Sequence, residues 1–329
     1  MPATPAPGPT AIPADLPPLP AAFTALLDAL IPPDSRARVD ASYTAPKDVV
    51  FRVNPLRAPD ADTVLAALAP LTPTPIPGVP GVYRLPASGR DALTHHPLAA
   101  DGSLYIQGVA SMAAVWALDP QPGEEVLDLA AAPGGKTALI AAQMGNSGRI
   151  AAVDPVRARF FRLKANLQRL GVRNAQLYLK DGAQVGRLVP GRFDRVLLDA
   201  PCSSEAQFTR LDPASWAHWS PKKVRASAAL QARLVRSAAD ALKPGGVLVY
   251  STCSLSPEED EVVLDALLRE RHDLVPEPLP WPVELPALPG LTVWNGQPLH
   301  PGLALARRML PTEWTDAFFL CRLRRRHSG

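Results

Sequence analysis

From about residue 104 onward, short apolar runs alternate with helical segments, and few folds can satisfy that alternation. The runs are 124-EEVLDLAAA-132, 149-RIAAVD-154, 174-NAQLYLKD-181, 193-FDRVLLDA-200 and 246-GVLVYSTC-253, with 318-FFLCRLRR-325 as a last strand. Helical spacing falls between them, over 106–118, 137–144, 155–170, 221–242 and 257–271. Buried strands separated by helices build βαβ units, and a parallel sheet of such units needs helices on both faces. The predicted class is α/β, a Rossmann-like doubly wound sheet in the order 3-2-1-4-5. Such a sheet takes ligands beyond the carboxyl ends of its strands, at the switch point.

Ahead of this region the pattern is different. Residues 1–20 hold eight prolines and no sustained period, which predicts a flexible leader. Residues 21–95 carry helical spacing at 21–31, a strand at 49–57, a short helix at 62–71 and proline-rich connections at 72–86. They are expected to form a small α+β domain, with residues 96–329 as the second and larger domain.

Composition narrows the class further. Hydrophobic residues make up 47% and charged residues 20%, which fits a packed globular chain. No apolar run approaches the roughly 18 residues of a membrane span. With no basic and apolar leader at the N-terminus either, a cytoplasmic protein that acts as a monomer is expected. Three cysteines make no disulfide framework, and without a C-x-x-C pair no metal site is expected. Net charge is +3, but the distribution says more. Arg157, Arg159, Arg162, Lys164, Arg169 and Arg173 lie in a stretch without acids, and 221-PKKVR-225 and 322–326 add two more basic clusters. They could hold phosphates or could be solvated helix faces.

Acids mark the ends of the strands. Asp128 lies in the first, followed by the turn Pro133-Gly134-Gly135; Asp154 ends the second, Asp181 the third and Asp199 the fourth. An acid ending the second strand is the usual partner of ribose hydroxyls, and glycine lets backbone approach a ligand closely. Neither G-x-G-x-x-G nor G-x-x-x-x-G-K-[ST] occurs, which disfavours NAD and ATP. An acid-rich rim repels a pyrophosphate and suits a cationic nucleoside cofactor such as S-adenosylmethionine. Each acid alone could equally be a helix N-cap.

Two of the three cysteines, Cys202 and Cys253, end strands that are neighbours in the predicted order, about 4.8 Å apart. The bland alternative is two small buried hydrophobes, as Cys321 is expected to be. A thiol beside a methyl donor suits methylation of a pyrimidine at carbon 5. A thiolate adds to carbon 6, carbon 5 takes the methyl, and loss of the carbon-5 proton and of the thiol restores the ring. A carboxyl group near N3 stabilises the adduct, and Asp199 stands three residues before Cys202. The target base must leave its stack.

The stretches 127-LDLAAAPGGKT-137, 152-AVDP-155, 180-KDG-182, 194-DRVLLDAPCSS-204 and 244-PGGVLVYSTCSLSPEEDE-261 resemble the ordered motifs of the RNA 5-methylcytosine methyltransferases of RsmB/Nop2/NSUN type, close to the bacterial 16S rRNA enzymes. So do 51-FRVNPLR-57, 105-YIQGVASM-112, 308-RMLP-311 and 318-FFLCRL-323. The resemblance implies a class I S-adenosylmethionine-dependent methyltransferase sheet and a ribosomal RNA partner. By position it implies Cys253 as nucleophile, Cys202 in product release and Asp199 at the base and the cofactor. It further implies that Ala130, Ala131, Ala132, Pro133, Gly134, Gly135 and Lys136 hold the cofactor, with Asp154 at its ribose, Asp181 near its adenine and Lys136 toward the target nucleotide. The chain departs from the family pattern at Ala130, where many relatives have cysteine, and at Gln107-Gly108, which commonly reads Gln-acid. The segment 205-EAQFTRLDP-213, expected to be a target-binding loop, lacks the family's glycines. RNA choice is expected to come from the first 95 residues and the basic faces.

Other readings give way on specific residues. A DNA cytosine methyltransferase would carry Glu-Asn-Val where Ser251-Thr252-Cys253 stands, and an amino-group methyltransferase would show Asn- or Asp-Pro-Pro-Tyr in place of 199-DAPC-202. A transfer RNA substrate, and an RNA-binding assembly factor with dispensable catalysis, stay open at this point.

Overall fold

The computed structural model describes residues 16–58, 60–280 and 285–327. Its centre is a nine-stranded sheet, ordered through Ala175–Tyr178, Arg149–Val153, Glu125–Asp128, Phe193–Asp199 and Leu242–Thr252, then Phe318–Arg325, Arg307–Met309 and Ala287–Pro289. The first five are parallel in the predicted order 3-2-1-4-5. Phe318–Arg325 returns antiparallel beside Leu242–Thr252, from Phe319 opposite Thr252 to Arg324 opposite Val247. Central strands bury both faces, which is why they read as unbroken apolar runs. Helices Pro221–Ala241 and Glu261–Glu270 cover one face, and Val109–Leu118 and Gly135–Gln143 the other.

The small domain is arranged differently from the sequence expectation. Val49–Val53 pairs with Val82–Leu85 on one side and with Leu104–Ile106 on the other, so its sheet reaches past residue 95 to 106. The two helices before it, Ala21–Leu30 and Pro33–Ser42, pack elsewhere. Phe23, Leu27, Val39 and Tyr43 join Phe208, Leu255 and Leu310 in one apolar cluster. Most of the proline-rich leader, residues 1–15, lies outside the described residues, but Arg210 donates to the carbonyls of Leu16 (2.5 Å) and Pro17 (2.7 Å). The described end of the leader, Leu16 and Pro17, is thus tied to the segment after Cys202.

The proline-rich stretch after residue 275 also hides strands. Leu274–Glu277 pairs antiparallel with Phe318–Arg325, and the acids on and before it meet the basic tail. Glu277 pairs with Arg322 (3.1 Å) and Arg324, and Asp273 with Arg325 (2.9 Å). Three arginines of that cluster thus serve the fold rather than standing free for phosphates.

Beneath the carboxyl edge lies a buried ion group. Arg308 donates from Nε to Glu261 (2.7 Å) and from Nη1 to the Leu255 carbonyl (2.9 Å), and Asp260 is 3.6 Å away. Burial pushes the Asp260 carboxyl well up, against the pull of Arg308. Removing one partner of a buried charge group leaves the others uncompensated. Arg308→Met is expected to destabilise the fold by about 3–5 kcal/mol, read as a lowered urea midpoint. A midpoint unchanged within error would contradict this role.

Candidate active site

The site is assembled by strand register. Asp199 lies opposite Ser251 in the parallel pair Phe193–Asp199 and Leu242–Thr252, and the Ser251 hydroxyl donates to Asp199 Oδ1 at 2.9 Å. Both chains then leave the sheet at the same edge. Three residues on from Asp199 and two on from Ser251 come the two cysteines, with their sulfurs 2.9 Å apart and both half-buried. The hydrogen bond to Cys253, followed by burial, holds the Cys202 thiol well above the usual thiol range. The two thiols thus face each other at the sheet edge. Cys321 is buried in the last strand, as expected of a core residue.

Lys136 crosses to Asp199 Oδ2 at 2.6 Å and lies 5.7 Å from the centre of the Phe318 ring. It comes from the turn after the first strand, where two glycines are required for different reasons. Gly134 has φ +106°, a region costly for other residues, and a Cβ there would meet Leu163 at 2.9 Å. A Cβ on Gly135 would meet the Tyr105 ring at 2.8 Å. The loop is tied from behind by Arg159, which donates to the Ala132 carbonyl at 2.9 Å, and by Asn166, which donates to that of Pro133 at 2.9 Å.

A cavity of about 210 Å³ opens between this loop and the small domain. Ala130, Ala131, Ala132, Pro133, Gly135, Lys136, Asp128 and Asp199 line one side, and Tyr105, Gln107, Gly108 and Ser111 the other. Asp128 is buried, accepts from Thr137 at 2.6 Å through one oxygen, and has no hydrogen-bond partner on the other. Burial pushes its carboxyl up to about 6.

Gly134, Asp154 and Asp181 lie outside that lining. Asp154 is buried; Oδ1 accepts from the Val156 N–H at 2.9 Å, while Oδ2 has Arg159 at 3.3 Å but no aligned hydrogen bond. Asp181 is exposed and caps the short helix Gly182–Gln184 through the Ala183 N–H at 3.0 Å. The cap alternative weighed for these acids is thus realised at Asp181.

The segment after Cys202 is held more tightly than its sequence suggests. Glu205 is fully buried and accepts from the N–H groups of Leu255 (2.7 Å) and Ser256 (3.0 Å), the hydroxyls of Ser254 (3.0 Å) and Ser256 (2.6 Å), and Trp219 Nε1 (2.8 Å). Glu259 accepts from the Ser203 N–H at 3.0 Å and from Gln231 at 2.7 Å. These two carboxylates clamp the backbone beside both thiols. Glu205 and Glu259 were given no role from sequence, and Ser251 was named only as part of Ser251-Thr252-Cys253; Ser251 and Glu259 lie within a quoted motif and Glu205 in the loop that follows another.

The family described as 16S rRNA methyltransferase RsmB/F matches residues 115–324. "Ribosomal RNA small subunit methyltransferase F" of Escherichia coli is 43% identical over 68% of this chain and 48% of its own length. A mouse "28S rRNA (cytosine-C(5))-methyltransferase" is 41% identical over 68% of this chain and 28% of its own. The chain thus spans about half or less of the length of these curated relatives. Among solved structures, a methyltransferase homolog protein from Pyrococcus horikoshii is 33% identical, with a TM-score of 0.75 over 93% of this chain and all of the other. NSun6 from Pyrococcus horikoshii, solved with SFG, shares the fold at a TM-score of 0.79 and 21% identity, over 94% of this chain and 99% of its own.

Asp128 also has a consequence for stability. Its folded pKa of about 6 lies above the ordinary carboxylate value of 3.8, so the folded state holds the proton longer. The sign follows: stability present below about pH 4 is lost as pH rises through 6, by about 3 kcal/mol in all. Asp128→Asn keeps an acceptor for Thr137 and is expected to abolish most of that loss in urea titrations at pH 4 and pH 7. An equal loss in variant and parent would contradict it.

Proposed function

The chain belongs to the family described as 16S rRNA methyltransferase RsmB/F, and on that premise we propose that it methylates cytosine at carbon 5 in RNA, using S-adenosylmethionine. The observation that carries this reading is the pair of thiols 2.9 Å apart at the edge where Asp199 meets Lys136. Methylation of an amino group or a hydroxyl needs no thiol, whereas carbon 5 must first be activated by addition at carbon 6. Small-subunit ribosomal RNA is the proposed substrate, supported by the name of the Escherichia coli relative.

The residues fit the cofactor. Asp128 keeps a buried oxygen without a hydrogen-bond partner, which is costly unless a further donor reaches it, while the second oxygen of Asp154 has only the unaligned Arg159 guanidinium at 3.3 Å. Ala130 to Pro133, Gly135 and Lys136 would hold the amino-acid end, with Gly134 shaping the turn from behind. Asp154 would take the ribose hydroxyls, and Asp181, at the end of the third strand, would lie toward the adenine. The bound cofactor supplies an electrophilic methyl group.

The chain's own groups supply the rest. Cys253, whose sulfur faces that of Cys202, adds as thiolate to carbon 6 of a cytosine turned out of its stack. Asp199, held by Ser251 and Lys136, hydrogen-bonds the pyrimidine edge and stabilises the electron-rich adduct. After the methyl is gained, water takes the carbon-5 proton, the electron pair of that bond restores the ring double bond, and the carbon–sulfur bond breaks to return Cys253 as thiolate; Cys202 assists by donating its thiol hydrogen bond to the departing sulfur. Lys136 neutralises Asp199 when the site is empty and faces the nucleotide when it is filled.

The two thiols then predict opposite phenotypes. With RNA and S-adenosylmethionine, Cys202→Ala is expected to accumulate a protein–RNA adduct that survives denaturing electrophoresis. Cys253→Ala is expected to form none, with turnover falling at least about a thousandfold in both. An adduct formed by Cys253→Ala instead would reverse the assignment.

A further inference from the structure

Arg52 is the least satisfied charge among the described residues. It is 2% exposed, and its Nη1 and Nη2 have no hydrogen-bond partner. Its neighbours are the Tyr105 ring, 5.6 Å from the guanidinium carbon, and the side-chain amide of Gln107. Burying such a group is costly, and burial pulls its pKa down to about 10. The one hydrogen bond it makes is informative, because arginine only donates. Arg52 Nε reaches Gln107 Oε1 at 2.9 Å, so the amide oxygen faces the small sheet and Nε2 must point the other way. Nε2 turns toward Ser111 Oγ at 3.3 Å and toward the glycine turn, where a Cβ on Gly135 would lie 3.4 Å from it.

That direction leads to the cavity beside the turn, which Gln107, Gly108 and Ser111 line. Helix Val109–Leu118 begins on this wall, and its cap residue, Gly108, has no side chain to satisfy the first-turn N–H groups. The wall offers the Gln107 amide N–H and the positive end of a helix dipole, while the Asp316 carboxylate, 4.0 Å from the place of a Gly108 Cβ, lies outside the cavity lining. The facing wall holds Asp199 and Asp128, the latter with its free, buried oxygen. Lys136, on the same wall, pairs with Asp199 at 2.6 Å. Donors on one wall and carboxylates on the other match an α-amino acid zwitterion, ammonium toward Asp128 and carboxylate toward Gln107.

We propose that Gln107 receives the carboxylate of the cofactor's amino-acid end, and that Arg52 is the positioning residue that locks the Gln107 amide in the donating orientation. The proposal rests on the reading of this cavity as the S-adenosylmethionine site. It gives the small domain a part in cofactor binding, since Arg52 belongs to the strand Val49–Val53 and touches the cavity only through Gln107 and Tyr105.

The test compares two ligands by calorimetry: S-adenosylhomocysteine and its decarboxylated analogue. Gln107→Leu is expected to weaken S-adenosylhomocysteine about tenfold to a hundredfold, the range of a hydrogen bond to a charged group. The same variant should hold the analogue within about twofold of wild type. Gln107→Glu, which puts a negative charge at the site, should weaken S-adenosylhomocysteine further and spare the analogue. Arg52→Met should reproduce the selective loss, add nothing to Gln107→Leu in the double variant, and be partly rescued by Arg52→Lys. If Arg52→Met fails to fold, the two Gln107 variants decide the matter alone. Equal losses for both ligands, no loss for either, or a loss confined to RNA affinity would overturn the proposal. Wild-type protein that binds neither ligand would overturn the cofactor reading with it.

Discussion

The parallel pairing of Phe193–Asp199 with Leu242–Thr252 is the constraint on which the rest of the site depends. Its register sets Asp199 against Ser251. From that pair the covalent chain alone carries Cys202 and Cys253 to the same edge. A slip of one residue would turn the apolar residues of a strand from one face to the other, so burial on both sides fixes the register strongly. Val196, Leu198, Leu248 and Tyr250 enter one core cluster, and Leu197, Val247 and Val249 the other. The chemistry of the edge is thus set by packing in the interior.

Ending two strands together is not enough, because loops past a sheet edge are free to diverge. Here a group of buried acids prevents it. Glu205 binds the backbone of the Cys253 loop, Glu259 binds that of the Cys202 loop, and Asp260 accepts from Thr252 at 2.6 Å. Burial pushes the Glu259 and Asp260 carboxyls up, so the acids are not held there by intrinsic preference. Backbone N–H groups and serine hydroxyls satisfy Glu205, Ser203 and Gln231 answer Glu259, and Asp260 has Thr252 on one oxygen and the Arg308 charge 3.6 Å from the other; such a network is favourable only while its members are present. The aromatic cluster of Phe23, Phe208, Trp216 and Trp219 seals its outer side, with Phe23 and Phe208 centred 4.8 Å apart. The first helix of the chain therefore supports the thiol loops, while the small sheet reaches the opposite side of the site through Tyr105 and Gln107.

The large sheet was legible because its signal is local: each central strand is a short apolar run bounded by turn residues and ends in a chemically distinctive side chain. The neighbouring places of Cys202 and Cys253 followed from strand order and spacing, whereas the ion pair of Asp199 with Lys136 did not. Long-range partners were not legible in the same way. Nothing in 205-EAQF-208 signals that Glu205 would be buried and answered by serines some fifty residues later. Leu104–Ile106 reads as the lead-in to a helix, and only its pairing with Val49–Val53 makes it part of the small sheet. The prolines after residue 275 concealed short edge strands, where proline is tolerated because few ladder bonds are required. The tail arginines looked free for phosphates because their acids lie on such a strand.

The central claim is that the thiol edge carries carbon-5 methylation of cytosine in ribosomal RNA. Bisulfite mapping of 5-methylcytosine across total RNA, from cells with the gene, without it, and with Cys253→Ala in its place, tests that claim most directly. The account predicts that one or a few small-subunit ribosomal positions lose their signal without the gene and do not regain it with Cys253→Ala. Unchanged signal at every ribosomal position, or recovery of a lost position with Cys253→Ala, would contradict it.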